Sequence, residues 1–90
     1  MKSYMIGYDL NKSGKDYNGL INKIKDIADS WWHHLDSTWI IKSSKSAAEI
    51  RDLLSPYIDQ DDELIVAGLT GEGAWKGFNS NGSKWLKDNL

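Results

Sequence analysis

The sequence predicts one α+β domain built around a four-stranded antiparallel sheet. The chain has ninety residues, which is the length of a single small domain. Apolar residues alternate with polar ones in short runs, as in strands, and recur every three or four residues in two longer runs, as in helices. These runs follow the order strand, helix, strand, strand, helix, strand, and right-handed crossovers then predict the spatial strand order 4-1-3-2. This is the ferredoxin-like β-α-β-β-α-β arrangement, followed here by a short C-terminal extension.

The first strand and the first helix have clear patterns. Residues 3–10, SYMIGYDL, alternate so that Tyr4, Ile6 and Tyr8 share one face of the predicted strand. The turn-forming sequence NKSGK at 11–15 ends it. A helix is predicted from about residue 16 to about residue 29, because its apolar residues form one stripe: Tyr17, Leu20, Ile21, Ile24, Ile27 and Ala28.

A hairpin is predicted next. Residues 31–35, WWHHL, are rich in aromatic side chains, and residues 38–43, TWIIKS, are β-branched and apolar, as strands are. The two runs are separated by Asp36-Ser37, which is a short turn signal. The sequence therefore predicts that the second and third strands pair directly.

The second helix and the fourth strand complete the predicted domain. Ser46 and Glu49 have the spacing of a capping box, which predicts that Ser46 begins the helix. Pro56 is the only proline and is expected to end it near residue 54 or 55. Residues 64–69, LIVAGL, form a continuous apolar run, as in a strand that is covered on both faces.

The C-terminal extension is predicted to add two small elements. Gly71 and Gly73 mark a flexible turn, and residues 74–78, AWKGF, are interpreted as a short extra edge strand. Ser83 is the predicted N-cap of a final short helix. The apolar residues of that helix are expected to dock on the body of the domain: Trp85, Leu86 and Leu90.

The composition limits the functional classes that fit. The net charge is −2, with 11 basic and 13 acidic residues, and Arg51 is the only arginine. Proteins that neutralise many phosphates usually have a basic surplus, so any contact with nucleic acid is expected to be local or shared across an oligomer. The absence of cysteine excludes disulfides and thiolate zinc sites and agrees with a cytoplasmic location. The sequence predicts neither a signal peptide nor a membrane span.

The predicted topology brings several polar residues to one edge of the sheet. Asp9 ends the first strand and is expected to lie beside Asp36-Ser37 and near the acidic run 61–63. Lys12 and Lys15 follow in the next loop. Carboxylates gathered in this way can hold Mg²⁺ or Mn²⁺, and a metal between them can activate water against a phosphodiester. The alternative is that these acids, Asp61 and Asp62 among them, are ordinary caps and solubilising groups.

The hairpin carries a second group of candidates. His33 and His34 are neighbours in a strand, so they are expected to face opposite sides, one against the helices and one on the open face. Each is either a general base or phosphate contact, or a packing residue. The three tryptophans of the hairpin either stack on bases or serve the core and a protein interface: Trp31, Trp32 and Trp39.

The segments YMIGYDLN, HHLDSTWIIK, SAAEIRDLL and DDELIVAGL resemble the Cas-two family of small CRISPR-associated proteins, and more closely the SinR-like group allied to it. The resemblance covers roughly residues 3–69. In that family the first strand ends in a Tyr-Asp-hydrophobic motif, matched here by Tyr8-Asp9-Leu10. The second and third strands meet at a serine followed by an aromatic residue, matched by Ser37 and Trp39.

The resemblance implies a ferredoxin-like homodimer that binds nucleic acid. Some members are metal-dependent endonucleases with the first-strand aspartate near the two-fold axis, others are scaffolds for DNA integration, and the related VapD-like toxins cleave RNA. It makes Asp9 the candidate Mg²⁺ or Mn²⁺ ligand and catalytic residue, with Ser37 as polar support. Two hypotheses follow: a homodimer that binds nucleic acid or a nucleotide, with or without phosphodiesterase activity, and a non-catalytic module that binds a protein or small ligand on its open sheet face.

Overall fold

A computed structural model of the chain describes residues 1–11 and 17–90 and has an α+β architecture. The strands are β1 Lys2–Asp9, β2 Ser30–Leu35, β3 Thr38–Ser43 and β4 Glu63–Gly68, and the helices are α1 Asn18–Ile27, α2 Ala47–Leu54 and α3 Ser80–Asn89. All three strand pairs are antiparallel, and the order across the sheet is β2-β3-β1-β4, which reads 4-1-3-2 from the β4 edge. The part of the chain that is described contains no helix long and apolar enough to cross a membrane.

The hydrophobic core lies between one face of the sheet and the first two helices. Alternation places Tyr4 and Ile6 of β1 and Trp39 and Ile41 of β3 on this face, where all four are buried. Helices α1 and α2 cover it with their buried apolar side chains: Leu20, Ile24, Ile27, Ile50 and Leu54. The three from α1 belong to the predicted stripe, which therefore faces the core.

The opposite face of the sheet, called the far face below, is partly covered by α3. Its residues include Met5 of β1, Ile40 of β3 and Trp32, which pairs with Ile40 across β2 and β3. Trp32 is only 3% exposed, because α3 lies over it. The predicted docking of the C-terminal helix is thus confirmed, and its position is the far face.

Three hydrogen bonds attach α3 to the far face. The Trp32 indole Nε1 donates to the carbonyl oxygen of Gly82 at 3.2 Å. The Trp85 Nε1 donates to the Ser30 hydroxyl at 2.6 Å, and the Ser3 hydroxyl donates to the Asn89 carbonyl at 2.5 Å. Because these contacts reach β2 and β1 from both ends of the helix, α3 is an integral third layer of the domain.

Two predictions about the extension are wrong. The N-cap of α3 is Asn79, whose side chain accepts a hydrogen bond from the Gly82 N–H at 2.8 Å; Ser83 lies one turn inside the helix. Residues 74–78 form a loop, and the described chain has no fifth strand. The physical reason is that Phe78 packs edge to face on Trp32 and Trp75 lines a hollow over the same face, so the segment lies over the sheet and not along one of its edges.

Other element boundaries differ from prediction by one or two residues. Helix α1 begins at Asn18 and ends at Ile27, and β4 begins at Glu63, one residue before the predicted start. Pro56 lies in a single turn of 3-10 helix, Ser55–Tyr57, which continues α2 after Leu54. The proline ring is accepted there because the first positions of a helix need no N–H donor.

The capping box of α2 is formed as the sequence predicts. The Ser46 hydroxyl accepts a hydrogen bond from the Glu49 N–H at 3.1 Å, and the Glu49 carboxylate accepts one from the Ser46 N–H at 3.0 Å. These bonds to Ser46 hold the pKa of Glu49 below its ordinary value. Two otherwise unpaired backbone donors at the helix start are thereby satisfied.

We expect Ser46→Ala to lower the free energy of unfolding by about 1 kcal/mol, because the first turn of α2 loses its hydroxyl acceptor. Urea denaturation followed by circular dichroism measures the change. Ser44→Ala, at an exposed serine two residues earlier, is the matched control and should stay within about 0.5 kcal/mol of the wild type. Equal losses in the two variants would contradict the role of the cap.

Candidate functional site

A shallow groove of about 430 Å³ lies where β1 ends and where β3 and β4 begin. It is called the rim groove here, and it is lined by Gly7, Tyr8, Asp9, Ser37, Thr38, Glu63, Leu64 and Ile65. The Tyr8 N–H donates a hydrogen bond to the Ser37 carbonyl at 3.1 Å, which ties the end of β1 to the hairpin turn. The prediction that Asp9 and the hairpin turn share one edge of the sheet is therefore confirmed.

Asp9 and Glu63 face each other across β1 and β4. They are direct partners in the strand register, so both side chains lie on the far face, and both are exposed. Directly opposed residues of antiparallel strands have Cβ atoms about 4.5–5.5 Å apart, and like charges at that distance repel. Sequence reasoning placed Glu63 near this edge but did not identify it as a site residue, because the one-to-one pairing depends on the register of β4.

Ser37 contributes to the groove in two ways. Its carbonyl oxygen accepts from Tyr8, and its side chain is exposed at the turn beside Asp9. Asp36 is also exposed at the turn, but it does not line the groove. The lining of the groove thus includes two carboxylates, of Asp9 and Glu63, and the exposed hydroxyl of Ser37 beside that of Thr38.

Asp62 has a structural role. The sequence analysis gave a capping role as the alternative to metal binding for the acids at this edge. It is only 9% exposed, and its carboxylate accepts hydrogen bonds from the Asn11 N–H at 2.9 Å and the Asp59 N–H at 2.8 Å. The Tyr17 hydroxyl donates to the same carboxylate at 2.9 Å. Asp62 therefore joins the ends of three segments behind the groove.

Two of the candidates, Lys12 and Lys15, lie outside the described residues. Asn11 is the last described residue before them, and its side-chain amide donates to the Asp61 carbonyl at 2.6 Å. Asn11 is therefore tied to the segment that leads into β4.

A column of aromatic rings supports the rim groove from the helix side. The Trp39 Nε1 donates to the Tyr8 hydroxyl at 3.0 Å. The ring of His33 stacks on Trp39 with centroids 3.9 Å apart and 4° between the planes, and its Nδ1 lies 3.1 Å from the Thr38 carbonyl. Trp39 is 1% exposed, so direct stacking on a base is excluded for it, and it belongs to the core.

His34 lies on the other side of the sheet, as predicted for neighbours in a strand. Its ring centroid is 5.1 Å from that of Trp32 and 6.1 Å from that of Phe78, so it packs beside the start of α3. The rim groove does not include it. The structure therefore brings Tyr8, Asp9 and Ser37 together and separates His34 from them.

The donor set of the rim groove fits a hard divalent cation with few protein ligands. Mg²⁺ is usually bound by one or two carboxylates and keeps several waters or substrate phosphates as its other ligands. Asp9 and Glu63 are direct cross-strand partners, so the register places two carboxylates side by side on one face. Within residues 1–11 and 17–90, no group of three or more histidine, aspartate or glutamate side chains has the arrangement of a metal site.

Comparisons of the chain with protein-family models, with curated proteins and with solved structures found no match.

Proposed function

We propose that the protein is a ferredoxin-like homodimer of the Cas-two/SinR-like type, which binds a nucleic acid or a nucleotide at the rim groove through a divalent cation held by Asp9 and Glu63. The observation that carries the proposal is the direct opposition of these two carboxylates across β1 and β4. The supports for the fold assignment are the element order, the antiparallel pairing and the strand order of the sheet.

A cation explains how an acidic groove would accept a phosphate. Among residues 1–11 and 17–90, the side chains that line the groove include Asp9 and Glu63 and no basic residue, and Arg51, the only arginine, lies on α2. These two carboxylates would repel a phosphate. A divalent cation between the carboxylates removes their mutual repulsion and presents a positive charge to the ligand.

The remaining residues of the groove would position the ligand. When bound there, Mg²⁺ or Mn²⁺ neutralises phosphate charge and lowers the pKa of a coordinated water, which is the chemistry of a phosphodiesterase. The exposed Ser37 hydroxyl would donate a hydrogen bond to a phosphate oxygen. The hydrogen bond from Tyr8 to the Ser37 carbonyl and the Tyr8–Trp39 contact behind it hold this turn in place.

The uncovered half of the far face supports a dimer. Helix α3 covers Trp32 and the β2 side, whereas Ile65 on β4 is 57% exposed beside Gly7. A second copy seated on this half would bury Ile65 and bring a second pair of carboxylates close to the first. Trp32 is not available to such a partner, because α3 covers it.

The test is cation binding by variants that remove one carboxylate. Asp9→Asn and Glu63→Gln should each lower Mn²⁺ affinity by roughly tenfold or more. The reason is that removing even a residue that hydrogen-bonds to a metal ligand lowers metal affinity by about 10–100-fold. Isothermal titration measures this affinity, and Mn²⁺-stimulated cleavage of single-stranded RNA and DNA measures the activity. The matched control is Asp36→Asn, an exposed acid that neighbours the groove without lining it.

A stability measurement separates cation binding from misfolding. Without a cation, Asp9→Asn should be more stable than the wild type by roughly 0.2–1 kcal/mol, because the like-charge pair is gone. With Mn²⁺ the wild type should gain stability and the variant should not. If Mn²⁺ binds the wild type and Asp9→Asn equally, the metal site is wrong. If binding differs but cleavage is absent from both, the protein binds its ligand without catalysis.

A further inference from the structure

A second hollow of about 300 Å³ lies on the far face, beneath the loop that leads into α3. It is called the tail pocket here. Met5 of β1 and Ile40 of β3 form its floor, Trp32 and Phe78 its inner wall, and Trp75 and Lys76 its outer side. Thr38 lines both this pocket and the rim groove, so the two sites are neighbours on one sheet face and have otherwise separate linings.

Two contacts hold the inner wall of the tail pocket in place. Trp32 and Phe78 meet edge to face, with ring centroids 4.8 Å apart and 85° between their planes. The Trp32 Nε1 donates to the Gly82 carbonyl. The indole of Trp32 is therefore held by a hydrogen bond from its N–H and by the contact of its ring with Phe78. A preformed apolar wall is favourable for binding, because no side chain has to be ordered by the ligand.

The loop above the pocket depends on glycine at both ends. Gly71 has a φ of 95° and Gly77 a φ of 94°, a backbone region that other residues rarely adopt. These two positions turn the chain so that residues 73–76 pass over the sheet. The loop therefore leaves space above Met5 and Ile40 rather than collapsing onto them.

The charge at the pocket defines the ligand further. Within residues 1–11 and 17–90, Lys76 is the only lining residue with a charged side chain, and it makes no ion pair there; it is also exposed. An ammonium group at the edge of an apolar pocket complements an anionic group on an apolar ligand. The volume is at the lower end of ligand pockets, about 300–1,000 Å³, which suits a small molecule and not a helix or strand of a partner.

We propose that the tail pocket binds a compact aromatic carboxylate. Its ring lies on Met5 and Ile40 against Trp32 and Phe78, and its carboxylate meets Lys76 at the outer side. This binding needs neither a cation nor Asp9, so it is independent of the function proposed for the rim groove.

The experiment uses the full chain with two matched probes, 1-naphthoate and its neutral counterpart 1-naphthalenemethanol. Isothermal titration should show saturable one-site binding of 1-naphthoate. Lys76→Met should lower the affinity for 1-naphthoate by about tenfold, which is the contribution of one hydrogen bond to a charged group. The affinity for the neutral probe should not change. Equal affinity of the two probes for the wild type would overturn the carboxylate assignment.

A pair of matched variants locates the binding. Ile40→Phe places a larger side chain on the pocket floor and should reduce 1-naphthoate binding, whereas Ile65→Phe makes the same change on the same face in the rim groove and should not. Chemical-shift mapping of the wild type needs no variant: the indole N–H signals of Trp32 and Trp75 should move and the amides of Asp9 and Glu63 should not. Absence of saturable binding, or shifts confined to the rim groove, would overturn the proposal.

Discussion

Trp39→Ala is expected to lower the free energy of unfolding by about 3–5 kcal/mol, the usual cost of removing a large aromatic side chain from a core. Trp39 is the largest of the fully buried side chains, and it contacts groups that belong to different parts of the fold. Its indole N–H donates to the Tyr8 hydroxyl, and the ring of His33 stacks on its ring. The alanine variant leaves a cavity and removes the donor to Tyr8 at the same time.

Urea denaturation followed by circular dichroism measures this loss, because it does not depend on the tryptophan that is removed. Trp75→Ala, at an exposed tryptophan of the C-terminal loop, is the control and should cost much less. Trp39→Phe keeps most of the apolar contact but has no N–H, so a double-mutant cycle with Tyr8→Phe isolates the hydrogen bond. If Trp39→Ala were no more costly than Trp75→Ala, the assignment of Trp39 to the core would be wrong.

The elements of the domain could be predicted from sequence because each has a local cause. The alternation of β1 places Tyr4 and Ile6 in the core, and the spacing of Ser46 and Glu49 forms the capping box that begins α2. The position of Asp9 beside the hairpin turn follows from the order of the strands, which is set by the same local patterns and by the handedness of crossovers. Tyr8, Asp9 and Ser37 were therefore found together in the rim groove.

The features that were missed depend on long-range contacts. Glu63 faces Asp9 because of the register of β4, and a shift of one residue would move it to the other face of the sheet. The covering of Trp32 depends on where α3 docks, and a helix pattern alone does not identify the surface that receives it. The 74–78 segment resembles a strand in composition, but it lies over the far face, where Phe78 packs on Trp32.

The two faces of the sheet carry different kinds of chemistry. The helix side is a closed core that ends in the Tyr8–Trp39–His33 column. The far face is divided between the acidic rim groove on the β1–β4 side and the apolar tail pocket under the α3 loop. The two proposed ligands, a cation and an aromatic carboxylate, thus concern separate residues of one face, with Thr38 between them.

Asp62→Ala is expected to lower the free energy of unfolding by about 3 kcal/mol, since hydrogen bonds to a charged acceptor are worth about 1.5–3 kcal/mol each and are not fully additive. The variant removes the acceptor shared by the Asn11 N–H, the Tyr17 hydroxyl and the Asp59 N–H. These donors lie after β1, before α1 and before β4. Loss of their hydrogen bonds should therefore destabilise all three segments at this edge of the sheet together.

Urea denaturation gives the total cost, and amide hydrogen exchange gives its location. The N–H groups of Asn11 and Asp59 should exchange much faster in Asp62→Ala, while that of Glu49 in the α2 capping box should not change. Asp61→Ala is the matched control, because the Asp61 side chain is exposed. The variant keeps the main-chain carbonyl that accepts the hydrogen bond from the Asn11 amide. Its free energy of unfolding should therefore stay within about 0.5 kcal/mol of the wild type. Equal costs for the two aspartates would show that Asp62 does not hold this edge together. If a cation binds between Asp9 and Glu63 as proposed, Asp62→Ala should also weaken Mn²⁺ binding, although Asp62 is not proposed as a ligand. The reason is that Asp62 directly precedes Glu63 and holds the start of β4 opposite Asp9.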